Sequence, residues 1–220
     1  MNKLVFFDLD GTLLNTLPDI ANSMNRSLNK LGLKSHPIEA YKLFTGNGSK
    51  ILTKRALNGN KKYEEELYNL YREDYALNSR VETKPYEGIE DLLLTLKKAG
   101  CVLIVYTNKD NADAQDVIKY YFKDKYFDKV QGRIDGFPLK PDPSLAKHML
   151  KEMGIGKEYT LYYMGDTVTD MQCAHNIGAV SIASTWGFQD RQMLAKEKPD
   201  FFIDTPEEAV NIILEGETND

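Results

Sequence analysis

The sequence predicts an α/β fold, a doubly wound parallel sheet interrupted by an inserted helical domain. Three observations predict it. Short apolar runs of strand length end in polar or acidic residues, as parallel strands covered on both faces do. Helix-period segments lie between those runs, and such alternation implies a sheet joined by right-handed crossovers. One long stretch, residues 16–83, abandons the alternation and keeps helical periodicity alone.

Taken in order, the first strand is Leu4–Phe7, closing on Asp8. Within the insert, Ile20, Met24, Leu28 and Leu31 recur at helical spacing and stop at Gly32, a residue suited to ending a helix. Ile38–Phe44, Lys50–Leu57 and Lys61–Leu77 read as further helices, separated by a Thr-Gly-Asn-Gly-Ser break at 45–49. The alternation then resumes. Helices are expected at Ile89–Ala99, Asp113–Phe122, Ser144–Met153 and Asp170–Ile177. Strands are expected at Val102–Tyr106, Leu161–Met164, Val180–Ala183 and Phe201–Ile203. The division expected is a core of residues 1–15 and 84–220, with a helical domain inserted at 16–83.

Bulk properties exclude several function classes. With 220 residues, 42% hydrophobic and 28% charged, the chain has the composition of a soluble globular protein. A net charge of -5 gives no basic footprint for nucleic acid or an anionic membrane. The longest apolar stretches match a buried strand, so none spans a bilayer. Asp8 and Asp10 interrupt the first apolar run too early for a signal peptide. Cys101 and Cys173 fit no zinc or redox spacing and read as core residues. His36, His148 and His175 form no ligand spacing either. A reduced cytoplasmic protein, monomeric or homodimeric, is expected.

The chemistry concentrates at strand ends. In open α/β sheets, ligands bind outside the carboxyl ends of the strands. Asp8, Asp10, Thr107, Asn108, Asp166 and Asp170 all follow apolar runs, so distant segments deliver acids and hydroxyls to one rim. Carboxylates gathered there repel one another unless a cation and a base neutralise them. Such oxygen ligands suit Mg²⁺, which takes one or two carboxylates, waters and a substrate phosphate. Lys140, in Leu139-Lys140-Pro141-Asp142-Pro143, precedes a helix with Pro143 in its first turn and can face the same rim. Singly, each of these has a plainer reading. Asp-Gly-Thr is a turn, Thr107-Asn108 a strand-end cap, Asp166 and Asp170 helix-start acids, and Lys140 a solvated charge. Their joint occurrence in order is what defeats the plainer readings.

Asp8-Leu9-Asp10-Gly11-Thr12-Leu13 after an apolar strand resembles the first motif of the haloacid dehalogenase-like superfamily. Thr107-Asn108 resembles the second motif, Lys140 the third, and Gly165-Asp166-Thr167-Val168-Thr169-Asp170 the fourth, so the resemblance covers essentially the whole chain. It implies a Mg²⁺-dependent phosphatase acting on a small phosphorylated metabolite. Asp8 would attack phosphorus and become an aspartyl-phosphate. Asp10 would protonate the leaving oxygen and later deprotonate water. Asp8, the Asp10 backbone carbonyl and Asp166 would hold the metal, with Asp170 acting through a water or at one remove. Thr107, the Asn108 backbone and Lys140 would grip the phosphoryl oxygens. Gly11 would permit a tight turn, and Thr12 would fix that turn by hydrogen bonding. Dehalogenases of the superfamily lack an acid two residues after the nucleophile, so Asp10 favours phosphoryl transfer over carbon–halogen cleavage.

The insert resembles the cap of one subgroup. Thr45-Gly46-Asn47-Gly48, followed by Ile51-Leu52 and Arg55-Ala56-Leu57, is similar to the cap segment of phosphoglycolate phosphatases, as is Thr185-Trp186-Gly187-Phe188 to a later stretch. Gly46, Asn47 and Gly48 would then approach a small substrate closely, with 2-phosphoglycolate the leading candidate. A pyrophosphatase and a phosphosugar phosphatase or mutase share parts of these patterns. A receiver-like signalling module also surrounds a phosphorylated Asp with acids, Mg²⁺, a hydroxyl and a lysine, but lacks the second acid and an insert of this size. Trp186 reads as a packing residue, and Tyr68, Tyr71 and Tyr75, at helical spacing, as packing within the insert or a partner surface.

Overall fold

The computed structural model describes residues 2–216. From the N-terminus, strand β1 (Asn2–Phe7) leads through a tight turn into β2 (Leu14–Asn15). Helices α1 (Leu17–Lys30), α2 (Tyr41–Phe44), α3 (Ser49–Ala56) and α4 (Glu64–Asn78) follow, and β3 (Lys84–Pro85) returns the chain. β2 and β3 pair antiparallel as a two-stranded neck, with Leu14 opposite Pro85. The core continues with α5 (Ile89–Lys98), β4 (Val102–Asp110), α6 (Asn111–Phe122) and β5 (Lys129–Arg133). It closes with α7 (Ser144–Glu152), β6 (Tyr159–Gly165), α8 (Val168–Ile177), β7 (Val180–Ser184), α9 (Arg191–Ala195), β8 (Phe201–Ile203) and α10 (Pro206–Glu215).

The main sheet has six strands in the order β5-β4-β1-β6-β7-β8, all parallel. β1 is central, paired with β4 on one side and β6 on the other. Its side chains alternate between two cores, as a strand's period of two dictates. Val5 and Phe7 join Leu93, Val117 and Ile213, from α5, α6 and α10. Leu4 and Phe6 join Met149 and Ala174, from α7 and α8. The doubly wound α/β core is therefore as expected. β5 is an addition to the expected strands: Lys129, Gln131 and Arg133 give this edge strand no apolar run. α9 and α10 are additions as well. Pro143 caps α7 from outside rather than lying in its first turn, and Ile38–Phe44 divides into a 3₁₀ turn and the short α2.

The insert has its own apolar cluster, in which Ile20, Met24 and Leu28 of α1 meet Leu67, Tyr71 and Tyr75 of α4. Phe188, from the core, also packs there. Buried Asp19 ties the entry of the insert to its exit: its carboxylate accepts the backbone N–H groups of Val81, Glu82 and Thr83 at 2.9–3.0 Å. Among the described residues, no helix is long and apolar enough to cross a membrane.

Candidate active site

β1 ends at Phe7, and the next residue, Asp8, is anchored when its N–H donates to the Met164 carbonyl at 2.9 Å. The chain then folds sharply: the Leu13 and Leu14 N–H groups donate to the Leu9 carbonyl, and Gly11 takes a φ of +88°. That positive φ is one reason the position needs glycine. The second is space, because a β-carbon there would lie 2.2 Å from Asp166 Oδ2. From the other side Gly187 does the same, since its β-carbon would lie 2.2 Å from Asp166 Cβ. The Asp166 side chain thus sits between two glycines. Its Oδ1 accepts the Thr12 hydroxyl at 2.7 Å, and its Oδ2 accepts the Phe188 N–H at 2.7 Å. Thr12 therefore steadies Asp166, a reach beyond its own turn. Trp186 packs as expected and also donates its Nε1–H to the Thr12 carbonyl at 3.1 Å.

Asp170 sits in the first turn of α8 and does two things at once. Its Oδ2 accepts the Thr167 N–H, closing a capping box, while its Oδ1 accepts Lys140 Nζ at 2.6 Å. Lys140, on the loop before α7, also reaches Asp8 Oδ1 at 2.8 Å, the Tyr163 hydroxyl at 2.8 Å and the Tyr106 carbonyl at 3.0 Å. Its ammonium lies 5.4 and 5.5 Å from the Tyr163 and Tyr106 ring centroids. The Lys140 side chain is only 2% exposed.

One carboxylate oxygen from each of Asp8, Asp166 and Asp170 lies within 4.8 Å of the others. If all were ionised, three buried acids against one ammonium would leave an excess of two negative charges. Burial, then the charge of Asp170, pushes the Asp8 carboxyl up to about 7 against the opposing pull of Lys140. Burial, with Asp170 and Asp8, likewise raises Asp166 well above the usual carboxylate range. Burial disfavours the charge on Lys140, but Asp170 and Asp8 outweigh it and raise its pKa. An all-oxygen donor set with unbalanced negative charge is what a hard divalent cation fits. The Asp10 carboxylate is not part of this cluster.

Asn108 braces the neighbouring loop. Its Oδ1 accepts the Lys140 N–H at 2.8 Å, and its Nδ2 donates to the carbonyls of Lys140 and Gly46 at 3.1 and 3.0 Å. Thr107 lines the cleft beneath the insert together with Asp8, Asp10, Gly46 and Gly48. Gly46 and Gly48 have φ values of +91° and +80°, and a β-carbon on Gly48 would press the Asn108 carbonyl at 3.3 Å. Asn47 turns elsewhere, donating to Thr169 Oγ1 at 3.3 Å and accepting Arg55 at 2.8 Å.

Sequence reasoning missed several residues of this cleft. Lys109 Nζ lies 2.9 and 3.1 Å from the two Asp10 oxygens and 2.7 Å from the hydroxyl of Tyr75, on α4. Asp110 gathers Ser49 of α3 at 2.7 Å, Arg72 of α4 at 3.0 Å and Arg133 of β5 at 2.5 Å. Arg72 also pairs with Asp113. Tyr71 and Tyr75 pack inside the insert as expected and both line the cleft too, whereas Tyr68 is half-buried outside that cluster. The one local signal for Lys109 was its place directly after Thr107-Asn108. The cavity is small, about 50 Å³.

Comparison with known proteins places the chain in a family. The family model for haloacid dehalogenase-like hydrolases matches residues 5–184. A phosphoglycolate phosphatase of Mannheimia succiniciproducens is 30% identical over 223 residues, covering 96% of this chain and 98% of that protein. A phosphoglycolate phosphatase of Haemophilus influenzae is 31% identical over 214 residues, covering 92% and 94%. Among solved structures, a haloacid dehalogenase-like family hydrolase from Streptococcus pneumoniae superposes with a TM-score of 0.85 at 28% identity, covering 95% of this chain and 97% of that one.

Proposed function

Because the chain belongs to the haloacid dehalogenase-like hydrolases, we propose that it is a Mg²⁺-dependent phosphatase that hydrolyses a small phosphomonoester, 2-phosphoglycolate, through a phosphorylated Asp8. One observation carries this reading: the carboxylates of Asp8, Asp166 and Asp170 converge, with Lys140 bonded to Asp8 and Asp170 and Asp10 facing a cleft roofed by the insert. Relatives named phosphoglycolate phosphatase, similar along nearly the whole chain, support the choice of substrate.

In this mechanism Lys140 holds Asp8 Oδ1, which leaves Oδ2 to attack phosphorus in line. The bond from phosphorus to the bridging oxygen breaks as the bond to Asp8 forms, and Asp10 gives its proton to the departing oxygen. Asp10 then takes a proton from water, whose oxygen attacks the same phosphorus and frees Asp8 with release of phosphate. The Thr107 hydroxyl, the Asn108 N–H and the Lys140 ammonium bind the phosphoryl oxygens. Mg²⁺, held by Asp8, Asp166, Asp170 and the Asp10 carbonyl, would supply neutralising charge to those oxygens.

Residues 16–83 act as a cap over a core of 1–15 and 84–220, excluding water while substrate is bound. Phosphate release from a panel of metabolite phosphates, with Mg²⁺ and after exhaustive chelation, tests the proposal. Fastest turnover of 2-phosphoglycolate, abolished by chelation and restored by Mg²⁺, is expected. Full turnover without metal, or a long-lived phospho-Asp8 without steady phosphate release, would refute it.

A further inference from the structure

We infer that Lys109 reads the leaving group, exchanging its Asp10 carboxylate partner for an anionic arm of the substrate. This rests on the phosphatase reading above and names the substrate class: phosphomonoesters whose leaving group carries a carboxylate close to the bridging oxygen.

Two cations line the cleft, Arg72 and Lys109. Arg72 is already claimed by Asp113 and by Asp110, an acid that also anchors Ser49 and Arg133. A substrate anion recruiting Arg72 would have to break that network. Lys109 is placed differently. Its carboxylate partner is Asp10, whose task in the proposed reaction is at the bridging oxygen. A substrate seated on Asp8 brings its leaving group beside Asp10, within reach of the same ammonium. In 2-phosphoglycolate a single methylene separates the bridging oxygen from the carboxylate. That carboxylate can take the ammonium as Asp10, protonated from solvent on leaving it, turns to the bridging oxygen, so Lys109 keeps one anionic partner. An uncharged arm offers no exchange and leaves Lys109 on Asp10.

The ammonium is held for this exchange from the insert side. The Tyr75 hydroxyl accepts from Lys109 at 2.7 Å, and Tyr75 is itself fixed by burial and by stacking on Tyr71 at 5.5 Å. A compact ammonium with one permanent neutral partner and one exchangeable anionic partner suits a swap. Charge-assisted contacts to a buried ammonium are also strong enough to discriminate between substrates.

The test compares 2-phosphoglycolate with ethyl phosphate, which lacks the carboxylate, in wild type and Lys109→Gln. Inhibition by 3-phosphonopropionate and by propylphosphonate supplies a binding readout free of chemistry. Wild type is expected to prefer the carboxylated member of each pair. In Lys109→Gln the ratio of kcat/KM values, and of inhibition constants, is expected to fall on the order of 10²-fold, the scale of a lost charge-assisted hydrogen bond. Tyr75→Phe, which keeps the ring and removes the hydroxyl, is the second variant should Lys109→Gln not fold. Its inhibitor ratio is expected to fall several-fold as the ammonium loses its anchor. A wild-type preference that persists unchanged in the variants overturns the assignment of Lys109 alone. Absence of any preference in wild type overturns both this inference and 2-phosphoglycolate as the substrate.

Discussion

The narrowest tolerance in the site surrounds Asp166, and Gly187→Ala probes it with one methyl group. A β-carbon at 187 would lie 2.2 Å from Asp166 Cβ and 2.4 Å from its Oδ2, where ordinary contacts begin near 3.4 Å. Asp166 Cβ belongs to the stem of the side chain, so it cannot simply swing clear. Either the loop carrying Phe188 lifts by more than an ångström or Asp166 moves by a similar amount. Escape in the opposite direction is closed by Gly11, where Asp166 Oδ2 already occupies the space of a β-carbon. Either movement breaks the 2.7 Å bond from the Phe188 N–H. Overpacking costs about 1–3 kcal/mol, which in a protein of this size lowers Tm by roughly 2–10 °C. Misplacing a catalytic group by about 1 Å costs on the order of 10²-fold in rate. The expected outcome is therefore a modest loss of stability with a disproportionate loss of phosphate release, and a Mg²⁺ half-activation concentration raised about tenfold. Thermal melts and Mg²⁺ titrations of activity measure the two separately. A lowered Tm with wild-type Mg²⁺ dependence would mean that the loop is purely structural. Unchanged values of both would refute the steric argument itself.

Three further outcomes follow from the same geometry. Asp10→Asn is expected to lose on the order of 10²–10⁴-fold on alkyl phosphates, and less on activated aryl phosphates that need little proton transfer; equal losses on both would contradict the acid–base role. Gly46→Val, at a φ of +91° where an L side chain is strained, is expected to lower kcat/KM for 2-phosphoglycolate far more than for para-nitrophenyl phosphate, and proportional losses would mean a merely structural loop. The third concerns pH: Asp8 is held near 7 and Asp166 is also raised, so in the metal-free protein the native state binds more protons than the unfolded chain between about pH 4 and 7. Stability should then fall as pH rises through that window, by up to about 1.4 kcal/mol per pH unit for each group, and Mg²⁺ should raise Tm more at pH 8 than at pH 5; a flat or rising Tm in chelator would refute this.

How much of this was legible in the sequence depended on how local each signal was. The central strands were readable because parallel strands buried on both faces are continuous apolar runs, as Leu4–Phe7 and Leu161–Met164 are. β5 was not, because an edge strand with Lys129 and Arg133 on it lacks that run. α10 carried readable marks, with Pro206 in its first turn, Glu207 and Glu208 beside it, and apolar Ala209, Ile212 and Ile213. The expected elements simply stopped at β8. Asp8, Lys140, Asp166 and Asp170 were readable as an ordered set, and the structure brings them together. The pairing of Lys109 with Tyr75 was beyond sequence reasoning. Helical period placed Tyr71 and Tyr75 on one face but could not say which core residue that face would meet, 34 positions further on. Asp19 lies in the first turn of α1, where an acid is ordinary, and only the exit segment's three N–H groups reveal its work.

The arrangement of β4 explains how generic phosphoryl chemistry and selective recognition share one cleft. Three consecutive residues at its end each bond to the insert: Asn108 to the Gly46 carbonyl, Lys109 to Tyr75, and Asp110 to Ser49 and Arg72. In a regular strand, consecutive side chains point to opposite faces, and three neighbours could not serve one roof. The pairing with β5 breaks register between Tyr106 and Asp110, and irregularities of this kind re-aim side chains near active sites. Thr107 lies inside that same irregular segment, so the residue proposed to hold the phosphoryl group is covalently continuous with the residues that hold the insert. Asn108 closes the circuit by also fixing the Lys140 backbone. Seating of the insert therefore acts on Thr107 and Lys140 through one segment of chain. In the proposed reaction, a substrate arm that tightened the contact between insert and β4 would tighten the placement of Thr107 and Lys140 at the same time.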